Sequence, residues 1–425
     1  MIPSSWQTAA KSEITVAHLC DFYARPGGLA RAVQVLARSL SHNHVKCLVF
    51  VPGRRIKVLY DRQTQVFVMP SLSHILQPYR RVRYVLPICD PLFLLFVLVH
   101  LRKSNLDVIH AHGWVVYTAY WLKLLKRTPL FYSAHDYGTF CIKRSLYQSE
   151  SNSLCPKIDL PTLGTPNRRC LSCARDLPAI RRGFLVLLLR LQKPMLGYLD
   201  GTFVMSNSME EILESIGNHN LIRIITPSNR GELNLPEVPA LSVPYDLVYF
   251  GALSKYKGAE LFIQAIQLLR KGGFKYSVCM IGSAGDLDLR SQTGINFIVD
   301  APRATISAVL ASAKCVVFPP RWLEPAIPLT ILECLSINQS VLVSNRGGTA
   351  DVTKYGIPSF KSGDAYSLMN EIVNIIEGGK KPMSVQSEIS SDCEQAAQTM
   401  QLIYGKCNLV RNRLKPPGFQ VNATT

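Results

Sequence analysis

The chain has 425 residues, too many for one ordinary compact core, so two or three domains are expected. Its composition, 48% hydrophobic and 18% charged, excludes an intrinsically disordered chain and supplies apolar material for two cores. A net charge of +18 calls for an acidic partner: nucleic acid, anionic lipid or a phosphorylated small molecule. The basic residues fall in short clusters (Arg80, Arg81 and Arg83; Arg168 and Arg169; Arg181 and Arg182; Arg411, Arg413 and Lys415). They lack the aromatic-basic pattern of an RNA-binding surface, so no nucleic-acid partner is expected.

Residues 1–12 lack the basic-then-apolar build of a signal peptide and read as a flexible terminus. From residue 13 onward, short runs rich in Val, Ile and Phe alternate with stretches of helical period. Expected strands are 14–19, 45–51, 66–69, 108–111, 130–134, 202–205 and 222–225, then 247–250, 277–281, 296–299, 315–318 and 341–344. Their continuous hydrophobicity suits strands buried on both faces of a parallel sheet. Leu29, Val33, Leu36 and Leu40 recur at helical spacing, as do Leu261, Ala265 and Leu269. The run from 91 to 101 is the most apolar, yet it is shorter than the roughly 20 residues a spanning helix needs. It is expected to be a buried helix, and the chain cytoplasmic.

Prolines crowd residues 227–245, which read as a linker. The expected organisation is an N-terminal doubly wound domain at 13–230 with a cysteine-containing insert at about 137–180, and a linker at 231–245. A second doubly wound domain follows at 246–388, then a helix at 389–410 that packs back on the first domain, and a flexible tail at 411–425.

Several segments carry groups suited to chemistry. Gly27-Gly28 follows the first strand and opens a helix, where backbone amides can approach an anion. His110 and His112 close a later strand, and ligands of open α/β sheets collect beyond such ends. One packed and one functional histidine is the expected division, without an evident third ligand for a metal. His135-Asp136 again follows a strand, where it suits an acid-base group, a partner for a polyhydroxy substrate, or a helix cap. Gly251, Lys255 and Lys257 cluster at a helix start in a way that suits a diphosphate, without the spacing of a Walker A loop. Finally, Glu324 and Glu333 bracket a helix start beside Trp322 and ahead of Gly347-Gly348. Carboxylates suit vicinal sugar hydroxyls.

Taken in order, these motifs resemble the retaining glycosyltransferases of family 4, from about residue 14 to about 376. The resemblance implies a GT-B fold: two Rossmann-like domains facing a central cleft that binds a nucleoside diphosphate sugar. It implies that Gly27 and Gly28 lie against the donor phosphates and that His112 contacts the donor sugar. Lys257 would hold the diphosphate, Glu324 would lie by the transferred sugar, and Glu333 would bind the ribose. His112 and Glu324 are thus the implied catalytic pair, Gly251 and Lys255 further donor-side residues, and His135 and Asp136 acceptor-side ones. The implied reaction transfers a sugar to a glycan or lipid-linked acceptor in surface polysaccharide synthesis, with no catalytic metal, and with retention at the anomeric carbon.

The chain departs from the family pattern at three points. Eight residues rather than seven separate Glu324 from Glu333, Ala252 stands where the family has arginine, and Asn338 and Ser340 replace a glycine-proline pair. A non-catalytic GT-B partner protein and a sugar-nucleotide epimerase therefore stay open as alternatives. A subset of the family carries a cysteine-bearing insert, here Cys141, Cys155, Cys170 and Cys173, which is a candidate structural zinc site or a set of free thiols. Apolar stretches 84–101 and 184–191 adjoin basic clusters, an arrangement suited to peripheral contact with the inner face of an anionic membrane or to core helices with solvated ends.

Overall fold

The computed structural model describes residues 14–24, 27–76, 85–148, 151–155, 166, 168–175, 177–218, 220–228, 235–236, 244–286, 294–378 and 386–414. The expected flexible terminus, Arg25, the cluster at Arg80, Arg81 and Arg83, most of the linker, and the tail beyond 414 lie outside them. So do the side chains of Arg168, Arg169, Arg411 and Arg413.

Among the described residues, two large sheets carry the fold. The first has eight strands in the spatial order Leu221–Arg223, Gly201–Val204, Leu130–Ser133, Val108–His112, Ile14–Cys20, Val45–Gly53, Thr64–Pro70 and Lys57–Asp61. Each neighbour pair is parallel except the last, where Lys57–Asp61 runs antiparallel to Thr64–Pro70. The second has six parallel strands in the order Asn296–Val299, Val278–Gly282, Leu247–Phe250, Cys315–Phe318, Val341–Ser344 and Ser359–Phe360. In each sheet the order reverses beside its first strand, which creates a switch-point crevice at the carboxyl edge.

The elements follow from the apolar pattern. Strand Ile14–Cys20 is buried from Val16 onward because both of its edges are paired, to Val45–Gly53 and to Val108–His112. Helix Gly28–His42 buries Ala30, Val33, Leu36, Ala37 and Leu40, one stripe at helical spacing. Helix Pro91–His100 starts with proline behind Asp90, whose carboxylate accepts from Phe93 N at 3.0 Å. This helix is not wholly buried, contrary to the expectation from its apolar run. Phe93 and Val97 face the core, whereas Leu95 and Val99 are exposed. An amphipathic position on the sheet needs only one apolar stripe, so the second one is surplus to the core.

The two halves are stitched by specific bonds. Met205 and Ala326 form a parallel bridge, Thr226 Oγ1 donates to Ile327 O at 3.2 Å, and Asp351 takes Arg223 at 2.9 Å. Helix Gln386–Leu414 then straddles both cores. Ile389 and Cys393 pack in the second, while Ala396, Met400 and Tyr404 pack in the first. Its deepest anchor is Tyr404, fully buried, with its hydroxyl 2.7 Å from His110 Nδ1. Tyr404→Phe should leave that ring nitrogen without a partner and lower unfolding stability by about 1–2 kcal/mol in chemical denaturation; unchanged stability would contradict this anchoring role.

Candidate active site

The carboxyl edges of both sheets supply the site. In the second domain the strand Leu247–Phe250 runs into Gly251 and the turn that carries Lys257, ahead of helix Ala259–Lys271. Gly258 ends that turn at φ +80°, and a Cβ there would lie 1.7 Å from Pro319 O, so only glycine admits the close approach. The approach is sealed by hydrogen bonds from Arg321 N and Trp322 N to Tyr256 O. It brings Lys257 Nζ to 2.7 Å from Glu324 Oε1 and 4.9 Å from the centre of the Trp322 ring. On the far side, Gly348 N donates to Glu324 O at 2.7 Å, which fixes the loop from below. The Glu324 side chain is only 7% exposed, and the buried Trp322 Nε1 has no hydrogen-bond partner among the described residues.

Glu333 sits on helix Leu329–Ser336 and is likewise nearly buried. Its Oε1 lies 3.0 Å from Arg303 Nη1 and 3.9 Å from Arg31 Nη2, the latter on the first helix of the N-terminal half. The two glutamates therefore have different cations, and the loop between them reaches across to Met205 through Ala326. Lys255 does not join Lys257. Its Nζ turns outward to Glu260 at 3.4 Å, so in this structure it does not stand in for the cation that Ala252 lacks. Gly27 and Gly28 are exposed, and among the described residues a Cβ at either would meet nothing within 4 Å.

The N-terminal half contributes a histidine chain. Strand pairing sets His18 beside His110, and His110 and His112 share one sheet face two residues apart. His18 Nδ1 lies 3.1 Å from His112 Nε2, and His112 Nδ1 lies 2.9 Å from His135 Nε2. His110 is separate, held between Ser133 Oγ at 2.8 Å and Tyr404. His112, which the resemblance sets against the donor sugar, is fully buried with both ring nitrogens engaged, because neighbouring strands fill the same face with rings. His135, half-buried, is the more accessible group.

Asp136 is drawn into a network that the sequence did not announce. Arg144, from the insert, reaches Asp136 Oδ2 at 2.7 Å and Asp21 Oδ2 at 2.8 Å while its guanidinium stands 5.0 Å from the Trp114 ring centre. Burial raises the Asp21 carboxyl, opposed by Arg144 and the amides of Trp114 and Val115. Gly113 packs on it at φ +89°, with no room for a Cβ. Only the placement of Asp21 directly after the first strand could have flagged this group. Tyr137, next in chain, is fully buried, and its hydroxyl is raised by burial first and then by the charge of Glu324.

The cysteines of the insert form no disulfide and are each partly buried. Hairpin strands Tyr147–Gln148 and Ser153–Leu154 fold the chain back, and Cys155 N donates to Leu146 O at 2.7 Å. Burial pushes the Cys141 thiol up to about 11, against amides of Leu146, Lys143 and Ser145 that favour its thiolate. Among the described residues the one group with ligand atoms mutually within 4.8 Å is His18, His110 and His112, not the four cysteines. The third histidine that the sequence did not reveal is therefore His18, 94 residues from His112.

Burial holds His18 down to about 3, and it holds His135 down to about 4 with Asp136 opposing. The unfolded chain titrates its histidines near 6.5, so below that value it binds protons that the folded protein does not. Stability should be full above about pH 6.5 and fall as pH drops toward 5, above the carboxylate range. Thermal unfolding midpoints across that window read the effect; a flat profile would mean these rings protonate freely in the folded state.

Comparison with known families fits this geometry. Residues 26–228 match the model described as Glycosyltransferase Family 4, and residues 244–378 match the model described as Glycosyl transferases group 1. Comparison with curated proteins returns no match. Among solved structures the chain is similar to the catalytic domain of starch synthase IV from Arabidopsis thaliana bound to ADP and acarbose. That pair has 13% identity and a TM-score of 0.62, over 94% of this chain and 100% of that one. It is similar also to HepE from Anabaena in complex with UDP-glucose, at 14% identity, 94% and 100% coverage and a TM-score of 0.56. Sucrose-phosphate synthase from Thermosynechococcus elongatus gives 14%, 94%, 98% and 0.56. At such identities the likeness speaks for the fold, and the family models speak for descent: the chain has the GT-B fold and belongs to the group 1, family 4 glycosyltransferases.

Proposed function

We propose that the protein transfers a sugar from a nucleoside diphosphate sugar to an acceptor hydroxyl, with retention of anomeric configuration. The observation that carries this reading is the Lys257–Glu324 pair beside the unpartnered Trp322 N–H. A cation next to a carboxylate at a switch-point crevice suits a substrate with an anionic leaving group and a polyhydroxy ring. Lys257, the amides of its turn and the open Gly27-Gly28 loop would meet charge developing on the diphosphate, and the Trp322 N–H would take a donor oxygen. Glu324 would accept from hydroxyls of the transferred sugar, and Glu333 from the ribose, sharing its charge with Arg303. His135 and Asp136 would border the acceptor.

Incubation with a panel of sugar nucleotides, scoring nucleotide release with and without glycan acceptors, tests the reading. Release only with acceptor supports transfer; an altered sugar nucleotide without net release indicates an epimerase, and neither change a binding protein. Lys257→Ala and Glu324→Ala should each cut transfer at least about tenfold, roughly 1.4 kcal/mol of transition-state stabilisation. Unchanged rates in both would refute the site.

The acceptor side favours a glycan on a lipid carrier. Leu95 and Val99, Trp121, Leu124 and Leu125, and Ile180, Phe184, Leu187 and Leu191 leave apolar surface on three helices of the first domain. Ile180 is 90% exposed and adjoins Arg181 and Arg182. Among the described residues no helix is long and apolar enough to cross a membrane, and a surface of this kind suits peripheral binding to anionic lipid. The protein should float with vesicles containing anionic lipid and be released by salt. Equal flotation with neutral vesicles would remove the anionic lipid from the account, and no flotation would remove the membrane.

A further inference from the structure

The histidine chain has a direction. His18 Nε2 is buried and has no hydrogen-bond partner among the described residues. A proton there would be a buried N–H without an acceptor, which native structures rarely tolerate, whereas a bare ring lone pair is the lesser cost. The His18 proton therefore sits on Nδ1 and is donated to His112 Nε2 at 3.1 Å. With its Nε2 accepting, neutral His112 must carry its proton on Nδ1, which it donates to His135 Nε2 at 2.9 Å. Neutral His135 in turn holds its proton on Nδ1. That nitrogen makes no hydrogen bond to any described residue, and His135 is the one member of the chain that is not fully buried.

On the reading of the cleft as a transfer site, we propose that His18 and His112 are positioning residues that lock His135 in the Nδ1–H tautomer, so that it donates a hydrogen bond to an oxygen of the bound sugar. A histidine side chain in water favours the opposite tautomer, so the lock needs the buried chain behind it. His135 then stabilises an oxygen lone pair and does not take the acceptor's proton at this nitrogen. His135 follows the carboxyl end of strand Leu130–Ser133, the edge at which ligands of such sheets bind. Metal binding by His18, His110 and His112 is the competing use of the same rings. It is disfavoured because both nitrogens of His110 and of His112 already have hydrogen-bond partners.

Two-bond proton–nitrogen NMR on the full chain labelled with nitrogen-15 histidine tests the lock, with the His135 signals assigned by their loss in His135→Gln. A protonated Nδ1 and a bare Nε2 on His135 support it; a protonated Nε2 in the wild type overturns it. His18→Met offers His112 only a weak thioether acceptor, while His18→Asn keeps an N–H donor near Nδ1. The methionine variant should move His135 toward the Nε2–H tautomer and lower kcat at least about tenfold, with donor KM changed less than about twofold, and the asparagine variant should restore both. An unmoved tautomer in a folded His18→Met protein overturns the proposal, as does stoichiometric zinc in the wild type that His18→Met abolishes. If the methionine variant fails to fold, the wild-type spectrum decides. Absence of transfer with every donor, alongside the expected spectrum, would remove the reaction and leave the tautomer standing.

Discussion

A carboxylate buried to the depth of Glu324 costs several kcal/mol unless a cation compensates it, and Lys257 is that cation, at 2.7 Å. Much of the second domain's local architecture serves the pairing. Gly258 must be glycine to let its turn meet Pro319, and Gly347 and Gly348 must be small to close beneath the Glu324 loop, where a Cβ would strike Glu324 N and Ala326 O. Trp322 lies against the ammonium, and its own N–H is left over. An ion pair assembled at this cost, beside an unused buried donor, is a poor stability device and a fitting contact for a charged ligand.

The residues on either side of Glu324 tie the two halves together. Leu323 packs into the first domain's core, and Ala326 bridges to Met205. Glu333 meets Arg31 of the first helix, and helix Gln386–Leu414 returns to place Tyr404 on His110. The groups that flank the cleft are therefore held from both sides by long-range contacts, the form of support that a reaction between two bound substrates requires.

The apolar strands were readable because a parallel sheet buries both faces, which leaves runs such as Val45–Gly53 and Cys315–Phe318 with few polar residues. Lys57–Asp61 was not, since an antiparallel edge strand with mostly exposed residues has no such run, and Ser359–Phe360 is too short to show one. Glu324, Lys257 and the glycines were legible as motifs because each lies in one short segment. His18, Asp21 and Arg144 were not, because strand pairing and a folded insert, not sequence proximity, bring them to His112 and Asp136. The burial of His112 was not legible for the same reason: a sequence shows that a histidine ends a strand, not how many rings the neighbouring strands bring to its face.

The central claim is that Lys257, and not its neighbour Lys255, faces the diphosphate. Calorimetric titration of the full chain with a panel of nucleoside diphosphates tests it most directly. At least one nucleotide should bind, with affinity about tenfold weaker in Lys257→Ala and unchanged in Lys255→Ala. Binding by none, or an equal loss in both variants, would contradict the account.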